Sequence, residues 1–296
     1  MPERRPTPLW LWPNLLSLDA PIVALVWFYM FQKIWLQYLS WGYSVALFLV
    51  VWGIYILDRI IDVKMLAPGD PRLGPRHQFH QRHSRVMTWT ALAALLTAVI
   101  VAGFEIAYGP LIEYGKPVLF LVVIFFSLTI FSKQDREIPH LRNLFAGMAF
   151  AYGTAMGPHM WSPAYGFVET RWGWLNLIMS PEMLAFAVLC TLNISAIHFW
   201  EHSRIEGDPE SGAANDMALT VPLTVLAAAC IGLAVMNGDG DSRSRPFYYS
   251  VLIAAALLYV LNRLRTNYSM DALRVMADAA MIVPLPVFLI LVNSGT

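Results

Sequence analysis

The chain of 296 residues is 57% hydrophobic and only 14% charged, with a mean hydropathy of +0.54 and a formal net charge of zero. A water-soluble domain carries nearer a quarter charged residues, so lipid must replace water over much of this surface. The neutral balance leaves no electrostatic footprint for a nucleic-acid partner. The two cysteines, Cys190 and Cys230, lie singly in apolar runs, which argues against a disulfide framework or a zinc ribbon.

Residues 1–19 carry Arg4 and Arg5 and then a Trp/Leu-rich stretch, with no long apolar region ending in a small-residue cleavage site. They read as a cytoplasmic and interfacial segment instead of a cleaved signal. A spanning helix needs roughly 20 mostly apolar residues. Nine segments meet or approach that length, at about 20–38, 42–62, 87–108, 116–132, 143–162, 183–202, 217–236, 247–263 and 273–294. Continuous runs exclude the alternation of a barrel, so the expected fold is all-α: a polytopic bundle forming one membrane domain. Pro284 and Pro286 predict a kink in the ninth segment.

Basic residues set the expected orientation. With the N-terminus in the cytoplasm, the loops after segments two, four, six and eight hold most of them, from Lys64 and Arg72 through Arg136 to Arg265. The opposite side keeps Lys116, Arg171, Arg243 and Arg245, with Lys33 nearby. The loop at about 163–181 is aromatic and reads as interfacial.

Two acidic clusters fall at the same expected depth. Asp58 and Asp62 are four residues apart at the cytoplasmic end of segment two, so they share a helical face. Each would cost about 2.5–3.5 kcal/mol deep in a bilayer without a partner; solvation of Asp62 at the helix exit and a local pair of Asp58 with Arg59 or Lys64 are the structural alternatives. At the same end of segment six lie Asn193 and Glu201, followed by Glu206 and Asp208. Magnesium is commonly held by one or two carboxylates plus substrate phosphates, so two acid clusters ringed by Lys and Arg describe a magnesium-bridged diphosphate site. An ordinary turn into a helix, with Pro209 at its first position, also explains "GDPES". "HQFHQRH" (His77, His80, His83) and "HFWEH" (His198, Glu201, His202) could hold a metal; with seven histidines in all and no third cluster, a solvated loop over the diphosphate site, with Arg76 and His77 as phosphate contacts, is the preferred reading. Arg274 and Asp278, four apart, predict an intrahelical pair.

The chain resembles the UbiA superfamily of intramembrane prenyltransferases. "IYILDRIID" matches the last two acids of the family motif N-D-x-x-D-x-x-x-D with Asp58 and Asp62, while Ile54 and Tyr55 stand where the family has Asn and Asp. "FSKQDREIPHLRNLFAGMAFAYG" resembles the family's basic residue, short loop, Asn and small-residue helix, and the second motif, roughly D-x-x-x-D, is approximated by "EHSRIEGD". The resemblance implies nine helices in a bacterial-type inner membrane and transfer of a prenyl group from a polyprenyl diphosphate to an aromatic or other lipophilic acceptor. It implies Mg2+ as cofactor, with Asp58, Asp62, Glu201 and Asp208 as metal ligands. Lys133, Arg142, Asn143, Arg204 and Arg76 would hold the diphosphate, supported by Asn193, Glu206 and His77. The alternative is a catalytically degenerate relative that binds isoprenoid or lipid, or serves as a complex subunit.

Overall fold

The structure is a computed structural model and describes residues 8–65, 74–106, 108–131, 139–162, 172–206, 209–236 and 242–294. All regular elements among these residues are helical. After a short turn, α1 (Trp12–Leu15) meets α2 (Asp19–Ile34) at a bend of 81°. Buried Ser17, in the left-handed region at φ 57°, turns the chain between them. Then follow α3 (Trp41–Met65), α4 (Pro75–Arg82), α5 (Ser84–Glu105), α6 (Tyr108–Phe131), α7 (Pro139–Met160), α8 (Gly173–Met179) and α9 (Pro181–Glu206). The chain closes with α10 (Pro209–Met236), α11 (Arg245–Leu264), α12 (Met270–Ile282) and α13 (Pro284–Ser294).

Each of the nine apolar segments is helical over most of its described residues. Among the described residues seven helical stretches are long and apolar enough to cross a membrane: α3, α5, α6, α9, α10, α11, and α12 with α13 taken together. The other two segments fall short for identifiable reasons. Helix α2 has 16 residues and reaches spanning length only when joined to its bent partner α1. Helix α7 spends its first turns on His140, Arg142 and Asn143, and much of the rest on small residues. The break between α12 and α13 falls at Val283, ahead of Pro284, as a proline without an N–H requires. Trp27 of α2 donates its indole N–H to the carbonyl of Met281 just before that break (2.9 Å).

Helix α9 is the axis of the bundle. Of its span 67% is buried inside the chain, against 22% for α5 and 17% for α6, so the outer helices turn apolar side chains such as Leu96 and Phe120 outward. The densest packing is aromatic: Trp27 stacks on Phe186 with centroids 4.4 Å apart, and Phe247 closes on Trp27 and Phe31. Offset and edge contacts of this kind add about 0.5–1.5 kcal/mol per pair beyond burial. Two glycines permit close helix approach. A Cβ on Gly147 of α7 would lie 2.6 Å from the Thr191 backbone nitrogen of α9, and one on Gly53 of α3 would lie 2.7 Å from Leu95 Cγ of α5.

Gly147→Ala should therefore push α7 from α9 and cost about 1–3 kcal/mol, the usual range for overpacking. Gly103→Ala, where a Cβ meets nothing within 4 Å, should be neutral or slightly stabilising. Thermal unfolding of the two variants in the same detergent checks the contrast.

Candidate functional site

A cavity of about 530 Å³ opens between α3, α5, α6, α7 and α9, with Phe28 of α2, Arg76 of α4 and Asp278 of α12 also in its wall. Along α3 its lining runs from Tyr43 to Asp62, a distance of about 28 Å at 1.5 Å per residue, close to the hydrocarbon thickness of a bilayer. Its two ends differ in chemistry. The stretch level with residues 43–54 is lined by side chains such as Ala46, Val50, Val99, Val118 and Met156, and by the open face of Gly115. The end level with residues 58–62 gathers Asp58, Arg59, Asp62, Arg76, Arg142, Asn143, Asn193, His198, Glu201 and Asp278. The space is shaped for an amphiphile, with one polar head and one long apolar tail.

The helical period puts Asp58 and Asp62 one turn apart, and Arg142, from the second turn of α7, reaches both. Its Nη2 donates to Asp58 Oδ1 at 3.1 Å and to Asp62 Oδ1 at 3.2 Å. The two carboxylates thus stand side by side on one guanidinium nitrogen. Across the cavity, Glu201 Oε1 accepts from Arg274 Nε (2.9 Å), Arg274 Nη2 (2.6 Å) and Arg76 Nη2 (3.4 Å). Arg274 also donates to Asp271 Oδ1 at 2.9 Å. Arg59 is buried with its guanidinium 4.7 Å from the centroid of the Tyr55 ring and makes no ion pair within 4 Å among the described residues. Asn143 donates to Ser195 Oγ at 3.2 Å.

Helix α4 and the N-terminal segment close the polar end. Trp12 meets Phe79 edge-on at 6.4 Å, the Ser17 hydroxyl lies 3.3 Å from His80 Nε2, and the Trp52 indole donates to the Leu16 carbonyl at 2.9 Å. These contacts bury Arg76, His77 and His80, so the loop expected to be solvated is packed instead. Burial, and then the guanidiniums of Arg59 and Arg274, lower Arg76 to about 9. Burial and the neighbouring arginines push His77 down to about 3, and burial lowers His80 too. Among the described residues Arg76 Nε has no hydrogen-bond partner, nor do His77 Nδ1 and Asn193 Oδ1. Crowded arginines with an unused donor favour an anion.

Of the residues singled out in the sequence, Asp58, Asp62, Arg76, Arg142, Asn143, Asn193 and Glu201 line this one cavity. Arg204 does not. It is exposed and donates to the carbonyls of Arg265 (3.0 Å) and Tyr268, fastening the α11–α12 connection. His77 lies behind Arg76, outside the lining. Lys133 and Asp208 fall outside the described residues, as does the side chain of Glu206. The local pair expected for Asp58 is replaced by the reach from α7. The pair expected between Arg274 and Asp278 is also replaced, because Glu201 offers Arg274 two bonds while Asp278 turns toward Asn193. No three His, Cys, Asp or Glu groups gather at metal-holding distance among the described residues. His198 and His202 stack at 6.1 Å, and Glu201 between them in sequence goes to the arginines. Arg59 and Asp278 entered the sequence reading only as members of local pairs, and Asp19 not at all. Their signal was present, since each is a charged residue inside or beside an apolar run.

No family model, curated protein or solved structure matches the chain.

The neutral, buried histidines of α4 set a pH dependence. Free imidazole takes a proton near pH 6.5, whereas His77 in the folded chain does so at about 3. Between these values the unfolded state holds the extra proton, so stability falls as pH falls, by up to about 1.4 kcal/mol per unit for one histidine. Melting followed from pH 7.5 to 5 should show a declining transition temperature, and His77→Gln should flatten the decline.

Proposed function

We propose that the chain is a nine-span intramembrane transferase of the UbiA kind, with its N-terminus in the cytoplasm of a bacterial-type inner membrane. It takes a prenyl group from a polyprenyl diphosphate and passes it to an aromatic or other lipophilic acceptor. One observation carries this reading: a single cavity joins an arginine- and carboxylate-lined end to an apolar trunk about as long as a bilayer is thick. A polyprenyl diphosphate has that shape and that polarity. The seven stretches of spanning length, with α1–α2 and α7 as the remaining two crossings, are consistent with nine spans.

The donor set supports Mg2+ as the cofactor. Asp58 and Asp62 supply two adjacent oxygen ligands facing the polar end, which is the usual protein share of a magnesium site completed by substrate phosphates. Arg142 Nη2 now sits between the two carboxylates, which would have to turn from it to hold such an ion. When bound, the ion would draw negative charge onto the departing diphosphate. Arg76, Arg142 and Arg59 hold the phosphates; among the described residues Arg76 Nε has no partner and Arg59 makes no ion pair. Glu201 acts differently from the sequence expectation, holding Arg76 and Arg274 in place and not serving as a metal ligand. The apolar trunk keeps water from the allylic carbon, and Phe125 carries the Arg142 guanidinium over its ring, 5.5 Å from the centroid.

The observation favouring the non-catalytic alternative, an isoprenoid-binding component, is that Asp58, Asp62 and Glu201 are all occupied by arginines. Purified protein incubated with Mg2+ and a series of prenyl diphosphates distinguishes the two. The transferase releases diphosphate and stops on chelation by EDTA. Asp58→Asn and Asp62→Asn should each lower release on the order of 100-fold, the scale of losing a group that stabilises developing charge. Binding without any release would decide for the alternative. A bulky side chain at the open face of Gly115 should fill the trunk, so Gly115→Phe is expected to shift turnover toward shorter prenyl chains, measured by competition between chain lengths.

A further inference from the structure

The apolar end of the cavity is closed by a hydrogen-bonded plug. Tyr43, in the first turn of α3, is buried and is the residue of that helix nearest this end of the lining. Its hydroxyl donates to the Glu105 carbonyl at the end of α5 (3.1 Å) and accepts the indole N–H of Trp161, just past α7 (2.9 Å). Ser40 donates to the Glu105 carboxylate, and Gly42 leaves room for that side chain across the start of α3. Phe28 of α2 stands beside Tyr43. A Cβ on Gly157 of α7 would lie 3.2 Å from Phe28 Cε2 and 3.5 Å from Tyr43 Cδ1, so both rings close on α7 where it has no side chain. Tyr38 and Trp41, close by in the chain, are exposed, as interfacial aromatic side chains are. Hydrocarbon pushed past Tyr43 would therefore leave an apolar layer for a polar one.

Such a plug sets a length. From Asp58 to Tyr43, α3 rises about 22 Å at 1.5 Å per residue. An isoprene unit adds four chain bonds of about 1.5 Å, or about 5 Å when extended. About four units therefore reach from the polar end to the Tyr43 ring. A fifth would have to break the Tyr43 hydrogen bonds or fold back into space that the first four fill. Apolar tails gain little by exchanging lipid for protein side chains, so discrimination by length needs a stop of this kind and does not come from contact area. We infer that Tyr43 is a specificity-determining residue, the stop on which the end of the prenyl tail lies, and that it confines the donor to the geranylgeranyl class of about four isoprene units. The inference rests on the transferase reading for the identity of the head and on the plug for the length of the tail. Trp161 and Glu105 are positioning residues, which act through the ring they hold.

The test separates binding from turnover. Purified protein in lipid nanodiscs holds a tritiated geranylgeranyl thiolodiphosphate, in which sulfur replaces the bridging oxygen and slows release. Unlabelled farnesyl, geranylgeranyl and hexaprenyl thiolodiphosphates compete for the site. The farnesyl and geranylgeranyl forms should bind within a few-fold of each other. The hexaprenyl form should bind on the order of 10-fold more weakly, the scale of losing the two hydrogen bonds of Tyr43. Tyr43→Ala should bring the hexaprenyl form level with the geranylgeranyl form. Tyr43→Phe keeps the ring against Gly157 and loses only the hydrogen bonds, so it should narrow the gap in part, and it is the variant to read where the alanine protein does not fold. Equal wild-type affinity for the geranylgeranyl and hexaprenyl forms is the result expected of an exit into lipid past Val99, which is 68% exposed on α5, and it overturns the inference. So does a folded Tyr43→Ala protein with the wild-type preference. Diphosphate release is then followed with the oxygen esters and Mg2+. If no ester is turned over while the binding profile holds, the transferase reading fails and the stop at Tyr43 stands.

Discussion

Placing charge inside an apolar bundle is the constraint on which the arrangement depends. A carboxylate or guanidinium at depth costs about 2.5–3.5 kcal/mol on insertion scales, which favours opposite charges meeting, and in this chain the pairs that close the polar end come from different helices. Arg142 links α7 to α3 through Asp58 and Asp62, and Arg274 and Arg76 link α12 and α4 to α9 through Glu201. A helix that slid or rotated would strand a buried charge, a penalty of about 3–5 kcal/mol when a buried pair loses one member. The polar end therefore fixes the register of α3, α4, α7, α9 and α12 more firmly than lipid-like contacts alone could, because apolar side chains gain little from exchanging lipid for one another.

The cavity is a consequence of how the rest is packed. On one side, α2, α9, α11 and α12 share a dense aromatic and aliphatic core around Trp27, Phe186 and Phe247. On the other, α3 and α5 hold together through a small cluster around Ile56, Ile60 and Met87. Between these two blocks the helices that face the cavity carry small residues, including Ala46, Ala98, Ala146, Ala149 and Gly153. Filling would require larger side chains there. The chain leaves that volume open along the whole of α3 and concentrates its charges at one end of it.

The sequence showed the helices because a long apolar run has few other solutions in lipid, and the break before Pro284 followed from proline's missing N–H. It also showed that Asp58 and Asp62 share a face, since the period of a helix is local. The partners were not legible. Arg142 lies 84 residues from Asp58, and only the packing of α7 on the rest could bring it there. The same limit applies to Arg274 and Asp278, where sequence spacing favours a local pair but Glu201 presents Arg274 with a better acceptor across the bundle. The burial of α4 was hidden for a different reason. "PRHQFHQR" is polar in composition, yet Trp12, Ser17 and Trp52 come from distant positions to cover it.

A polar end with every group satisfied would be stable and inert. This one is satisfied almost everywhere, which makes the exceptions informative, because buried polar atoms without a partner are rare in native proteins. Among the described residues Arg76 Nε is a donor without an acceptor and Asn193 Oδ1 is an acceptor without a donor, and both residues line the same cavity. A hydrocarbon tail could satisfy neither atom. A head that offers anionic oxygens to the arginine and a proton or cation to the amide could satisfy both, so the missing complement of the polar end has the chemistry of a charged headgroup rather than of another side chain.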